Sequence, residues 1–428
     1  MYLAGGAVLS GFNLQGGGTR AAGDAVQEQS GGGVWCETVD ATVTNCNLTR
    51  NAANFGGGGV YSGTLIQCTF NGNASQTKGG GAYGSTLNQC TLINNSSQAE
   101  GGGACRSILN QCNLYYNSSQ TEGGGAYGSA LSHCTLNGNE AQDMVAHPHE
   151  KYYWHYVGAG GGVSSSRLNS CTLIANTAAT GGGANASTLT NCTLTGNAAS
   201  VSGGGVQGTF VTKCVFIGNT APTNGNYDTS TLDHSCVAPL PASGTGNFTN
   251  APLFVKTSVG DFHLQSNSPC LNAGLNTAAP GATDLDGRSR IVGGTVDVGA
   301  YEFQDATSNQ STAWLGQHGL PVDASSDTAD PDGDGASTWQ EWRAGTDPTN
   351  ALSALRLLPL SGSLSGVRVS WWSVTNRAYV VERASDLGAR PAFQPLASGL
   401  PGQPGTTSFT DSNAPSPGPG LYRVGIQP

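Results

Sequence analysis

The chain repeats itself about every 22 residues, and that period limits its fold more than any other feature. Cysteines stand at 46, 68, 90, 112, 134, 171, 192, 214 and 236, in steps of 22, 22, 22, 22, 37, 21, 22 and 22. Five residues after a cysteine comes an asparagine: Asn51, Asn73, Asn95, Asn117, Asn139, Asn176, Asn197 and Asn219. Nine before it comes the last glycine of a triplet, as at Gly59, Gly81, Gly103 and Gly125. Large apolar residues lie two after the cysteine (Phe70, Leu92, Leu114) and three before it (Leu65, Leu87, Leu109). The unit reads G-G-G-A-Y-x-x-x-L-x-x-C-T-L-x-x-N.

Such a unit has too few apolar positions to bury a core alone, so copies must stack on one another. Cys68 and Phe70 alternate, as neighbours on one strand face do, whereas Leu65 is out of phase and requires a bend between them. Glycine triplets suit corners where a side chain would clash or φ must be positive. Stacked asparagines can form amide ladders. The fold expected is all-β: a right-handed parallel β-helix of 22-residue coils rising about 4.8 Å each. A leucine-rich repeat is the rival, but its second half carries leucines where these units carry Ser, Gln, Thr and Gly.

Low charge (10% Asp, Glu, Lys and Arg) and 65 glycines could mark disorder, but a disordered chain has no reason to space its apolar residues regularly. A net charge of −10 argues against nucleic acid as partner. No apolar run reaches the roughly 18 residues of a membrane-spanning helix. The start, Met1-Tyr2-Leu3-Ala4-Gly5-Gly6, lacks the features of a signal peptide, and Val8-Leu9-Ser10-Gly11-Phe12 already falls within a repeat. A truncated N-terminus and a monomeric state are expected.

Over roughly residues 30–236 the repeat resembles that of polymorphic outer membrane proteins, through Gly80-Gly81-Ala82-Tyr83 and Phe70-Asn71-Gly72-Asn73. The resemblance implies a β-helix with a surface role. The segment Asp284-Leu285-Asp286-Gly287-Arg288-Ser289-Arg290, with Val296-Asp297-Val298-Gly299-Ala300-Tyr301-Glu302, looks like the choice-of-anchor Q domain of bacterial surface proteins. That implies an exported protein whose β-helix ends there. Asp284, Asp286, Arg288, Arg290 and Asp297 read as a salt-bridged cap over the open end, which a solenoid needs, rather than as a carbohydrate-cleaving cluster.

Twelve cysteines suggest disulfides. In-register neighbours, however, are held about 4.8 Å apart with parallel side chains, wider than a disulfide spans. The nine ladder cysteines read as buried free thiols, with Cys36, Cys105 and Cys270 outside the ladder. No C-x-x-C pair indicates zinc.

Asp330, Asp332, Asp334 and Glu341 occupy positions 1, 3, 5 and 12 of a loop with Gly335 at position 6. That is the EF-hand calcium spacing, with the Ala336 carbonyl at position 7 and Thr338 at position 9. A helix should follow over 337–344. From about residue 352, alternating runs such as Val367-Arg368-Val369-Ser370-Trp371 and Tyr379-Val380-Val381-Glu382-Arg383 indicate a small β-sandwich. It resembles fibronectin type III-like modules. The expected domains are 1–250 (β-helix), 251–303 (cap), 304–350 (linker and calcium loop) and 351–428 (sandwich).

Two surfaces could bind a ligand. Trp35, Tyr61, Tyr83 and Tyr127, with Cys105 among them, should form an outward stripe on which sugar rings could stack, or a ladder that only stiffens the sheet. The one insertion, between Asn139 and Gly162, carries His147, His149, Trp154 and His155 and could bind a ligand or a metal. The acids of the repeat are scattered, and Glu100 and Glu122 are expected to be exposed. The favoured function is therefore a secreted or cell-surface scaffold, an adhesin or glycan-binding protein that uses calcium. The alternative is a polysaccharide lyase or glycoside hydrolase.

Overall fold

The computed structural model describes all residues except 142–157, 277–280, 293, 305–311, 322–323, 364–365, 385–392, 415–419 and 428. The chain divides into two units, Met1–Asp305 and Ala306–Pro428.

The first unit is a parallel β-solenoid with four sides, whose sheets contain 10, 10, 9 and 7 strands. One coil consists of Ala82–Tyr83, Thr86–Asn88, Thr91–Ile93 and Ser96–Ser97. Each strand pairs in parallel with its counterpart 22 residues on, as in Leu87 with Leu109 and Leu92 with Leu114. Equivalent side chains therefore stack, and Cys68, Cys90 and Cys112 form part of one interior row.

The four sides have a simple local cause. Residues Gly79, Gly84, Gln89 and Asn94, five apart, have φ values of 62°, 62°, 55° and 54°. Each left-handed residue turns the chain through one corner, and a short strand joins it to the next. The fourth side is longer, seven residues to Gly101, and three fives plus seven make 22.

About half of the corner residues are not glycine, and each such residue held left-handed costs about 1–2 kcal/mol. The following residue compensates. It points inward, and its side chain accepts the N–H of the equivalent residue one coil earlier. Ser107 does so for Ser85 (3.2 Å), Cys112 for Cys90 (3.4 Å) and Asn117 for Asn95 (3.0 Å). Three polar columns thus satisfy corner N–H groups that the sheets cannot reach.

At the fourth corner a side chain is excluded. A Cβ on Gly102 would lie 2.2 Å from the Ser118 carbonyl oxygen, because two backbone segments meet there. Between the corners Val60, Leu65 and Phe70 fill the interior, all fully buried.

All twelve cysteines are free and buried. Burial pushes the Cys36 and Cys105 thiols up to about 12, so neither is a ready nucleophile. One expectation fails. Cys236 is not on the ladder, because Cys236 pairs with Val215 and Ser235 accepts the Cys214 N–H at 3.1 Å. The final step is 21 residues, not 22, and a serine fills the cysteine position.

The cap also differs from expectation. It lies along the outer face of the third sheet as well as over the solenoid end. Phe254, Phe262, Leu271 and Val298 pack against Val215 and Cys236. Farther back, the Ala300 N–H donates to Thr193 Oγ1 (3.1 Å) and His133 Nε2 lies 3.1 Å from the Thr283 carbonyl oxygen. The carboxylates bind backbone, not arginine. Asp297 accepts from the N–H groups of Asn272 and Phe303 (both 2.7 Å), and Asp284 from those of Arg288 (2.9 Å) and Glu302 (3.0 Å). Arg290, 1% exposed, donates to the carbonyls of Asp297 and Gly299.

At the cap surface His263 bridges Asp261 (Nδ1–Oδ1 2.6 Å) and Asp286 (Nε2–Oδ2 2.8 Å) and packs on Tyr301 at 4.2 Å. Burial alone would lower its pKa, but the two carboxylates outweigh burial and raise it. A histidine with a raised folded pKa adds stability that is fully present below its unfolded pKa and lost as pH rises through the folded one. The three groups are partly exposed, so the effect is at most about 1 kcal/mol. Thermal unfolding of the wild type should weaken from pH 6 to pH 8 relative to His263→Gln. Parallel curves for the two proteins would refute the bridge.

The second unit contains two antiparallel sheets. One joins Ser361–Ser363, Gly366–Ser373 and Gly405–Asp411, and the other joins Gln394–Pro401, Ala378–Ala384 and Leu421–Ile426. Val369, Trp371, Tyr379 and Val381 form its buried core. Among the described residues no helix is long and apolar enough to cross a membrane.

Candidate metal centre

The acidic loop of the second unit is built by its own hydrogen bonds. Asp330 Oδ1 accepts the N–H groups of Gly333 (2.9 Å) and Asp334 (3.2 Å), and its Oδ2 accepts that of Gly335 (3.0 Å). Asp332 Oδ1 accepts from Asp334 (3.2 Å) and Asp334 Oδ1 from Ala336 (2.7 Å). Gly333 and Gly335 provide the positive φ values (73° and 94°) that the tight winding requires. The helix Thr338–Ala344 then begins with a capping box between Ser337 and Gln340, which fixes the position of Glu341.

Asp332 and Asp334 each have one oxygen left over. Asp332 Oδ2, Asp334 Oδ2 and Glu341 Oε2 are buried and accept no hydrogen bond. The carboxylates of Asp330, Asp332 and Asp334 offer oxygens within 4.8 Å of one another, and no other such trio exists among the described residues. Burial, then repulsion from Asp332 and Asp334, pushes the Glu341 carboxyl up to about 7. The nearest cation, Arg356, lies 3.7 Å from Asp334 Oδ2, too far for a hydrogen bond. Desolvated carboxylate oxygens left without a donor suit a hard divalent cation.

The other loop positions divide. The N–H of Ala336 is held by Asp334. The Thr338 hydroxyl donates to the Ala329 carbonyl (3.0 Å) and is 0% exposed. Thr346, absent from the expected set, donates to Glu341 Oε1 at 3.3 Å and orients that carboxylate. Its place in Gly345-Thr346-Asp347-Pro348 was the available signal. Asp347 faces Thr349 and His318.

In the solenoid, Tyr2, Trp35, Tyr61 and Tyr83 stack with centroids 5.6, 6.2 and 5.5 Å apart and planes within 16°. Their faces are turned to one another, which favours the sheet-stiffening role over sugar stacking. Cys105, 0% exposed, separates Tyr83 from Tyr127. Glu100 and Glu122 are half-buried, not exposed. Lys78 Nζ lies 3.0 Å from Glu100, and the Ser164 hydroxyl donates to Glu122 at 2.7 Å. His147, His149, Trp154 and His155 lie outside the described residues.

Fold and site together define a parallel β-solenoid protein with an acidic loop of cation-binding geometry. No family model and no curated protein matches the chain. Among solved structures it is similar to a crystal structure of pectate lyase Pel9A, with TM-score 0.34 and 14% identity over 70% of this chain and 79% of that one. That likeness is too remote to transfer an activity.

Proposed function

We propose that this protein is an extracellular, calcium-stabilised β-solenoid scaffold of the adhesin or glycan-binding kind. The observation that carries the calcium part is the trio of buried, partnerless oxygens on Asp332, Asp334 and Glu341. Calcium accepts six to eight oxygens in adaptable geometry, whereas magnesium demands a smaller, near-octahedral shell. The loop's spacing, in which Glu341 holds the sequence position of a two-oxygen EF-hand ligand, favours the former. The scaffold part draws on the regular stacking and on the resemblance to bacterial surface domains.

The rival enzymatic reading has less support. Among the described residues the solenoid wall brings Lys78, Glu100 and Glu122 onto adjacent rungs, and Lys78 and Glu100 neutralise each other. Titration calorimetry with CaCl2 and MgCl2 tests the calcium reading, with calcium expected to bind once and more tightly. Incubation with acidic polysaccharides tests the rival, since unsaturated products or new reducing ends would establish catalysis.

A further inference from the structure

A cleft of about 400 Å³ opens beside the helix Thr338–Ala344, within the second unit. Trp339, Gln340, Glu341 and Arg343 line it from the helix, and Leu355 and Ile426 from the sandwich, so the cleft adjoins the acidic loop. Ile426 closes the edge strand Leu421–Ile426. A space of this size accommodates a small ligand such as one or two sugar rings.

The arginines of this unit are nearly all committed. Arg356 reaches the carbonyls of Asp334 and Ala351, Arg368 the Ser408 hydroxyl, Arg377 the helix carbonyls of Trp342 and Arg343, Arg383 Asp411, and Arg423 Glu382. Among the described arginines of this unit, Arg343 alone has no oxygen partner for its guanidinium. It lies over the Trp339 ring, 5.2 Å from the centroid. Its unspent donors therefore face a cleft with an aromatic wall and an apolar floor.

We infer that this cleft binds a carboxylated sugar, a uronate unit of an acidic polysaccharide. The guanidinium takes the carboxylate through paired N–H donors. The apolar C–H face of the pyranose covers the indole and the floor formed by Leu355 and Ile426. The uncommitted cation beside an aromatic ring gives a local preference for anionic over neutral sugars. Arg377 fixes the helix end from the sandwich, donating to the Arg343 carbonyl at 2.9 Å, so the site is held before ligand arrives. The inference rests on the glycan-binding part of the proposed function and gives it a location. It does not require calcium to act on the sugar.

The test is calorimetry of the full chain in calcium-containing buffer, with oligogalacturonate and glucuronate oligomers against neutral glucose oligomers. Wild type should prefer the acidic oligomers at least tenfold. Arg343→Met should erase the preference, and Trp339→Ala should weaken binding of the acidic oligomers at least tenfold. Circular dichroism and the unfolding midpoint establish that each variant folds. Uronate binding unchanged in folded Arg343→Met would overturn this site while leaving glycan binding intact. Absence of binding to every oligomer would overturn both.

Discussion

Chelation of calcium should lower the unfolding midpoint of the second unit by ten degrees or more. An ion present at a thousand times its dissociation constant stabilises the folded state by about 4 kcal/mol. In a domain of this size each kilocalorie shifts the midpoint by roughly 4–8 °C. The sign follows from the loop itself. Asp330, Asp332 and Asp334 crowd within 4.8 Å and Glu341 is 1% exposed, so the cation-free loop holds carboxylates in mutual repulsion. Asp334→Asn and Glu341→Gln keep the shape and remove one charge each. Both should weaken calcium binding at least 100-fold, about 2.7 kcal/mol, and reduce the calcium-dependent rise in midpoint. Scanning calorimetry with and without EGTA measures this. Identical scans for the wild type would sink the metal reading.

The second large effect belongs to the asparagine column. Asn117 Oδ1 accepts from the main-chain N–H of Asn95 (3.0 Å) and from its Nδ2 (2.9 Å). Asn117 Nδ2 donates to Asn139 Oδ1 (2.9 Å) and to the Leu92 carbonyl (2.9 Å). Asn117→Leu keeps the volume but strands several buried polar groups in a dry interior. At about 1–3 kcal/mol for each group left unsatisfied, with partial relaxation, the loss should reach about 4 kcal/mol or more. Cys112→Ser should cost less than about 1.5 kcal/mol. Ser235 already fills the equivalent position at the last rung and accepts the same kind of N–H. Urea denaturation of the two variants measures the contrast. Equal losses would refute the claim that a corner needs an inward acceptor and not a particular atom.

These contrasts show which parts of the fold were legible in the sequence. Stacking was readable because Cys, Asn and Leu recur in phase, and a coil cannot bury them alone. The number of sides was not readable. It depends on left-handed residues spaced five, five, five and seven apart, and those positions hold residues as different as Gly, Ser, Gln, Asn, Arg, His, Lys, Ala and Tyr. The backbone enforces the conformation there, so side-chain identity is nearly free and leaves no motif. The serine column, Ser85, Ser107 and Ser129, was hidden because serine is common in the turns around it.

The lateral course of the cap did leave a trace. Val215-Phe216-Ile217 is apolar on both faces, which a strand covered on both sides requires. Two sandwich strands, Gln394–Pro401 and Gly405–Asp411, were obscured by their prolines and glycines. In the acidic loop the convergence of Asp330, Asp332 and Asp334 was legible in their spacing. Thr346 had only its place in Gly345-Thr346-Asp347-Pro348 to mark it, because its contact with Glu341 arises only when the helix ends at Gly345 in a left-handed turn.

The insertion expected from the sequence occurs on the longer, fourth side, after Glu140–Ala141. It is not the only one, because the first coil pairs with the second across 34 residues, as in Asn13 with Asn47. Above and below the later insertion the columns continue without slippage: Asn139 to Asn176 at 2.9 Å and Ser129 to Ser166 at 3.1 Å, each across 37 residues instead of 22. Extra chain at this point leaves the rung count and the stacking unchanged. The same junction in other coils, after Ser97 or Ser119, offers ready grafting points. Foreign peptides inserted there would be displayed from a rigid rod at chosen heights, each an integral number of rungs apart.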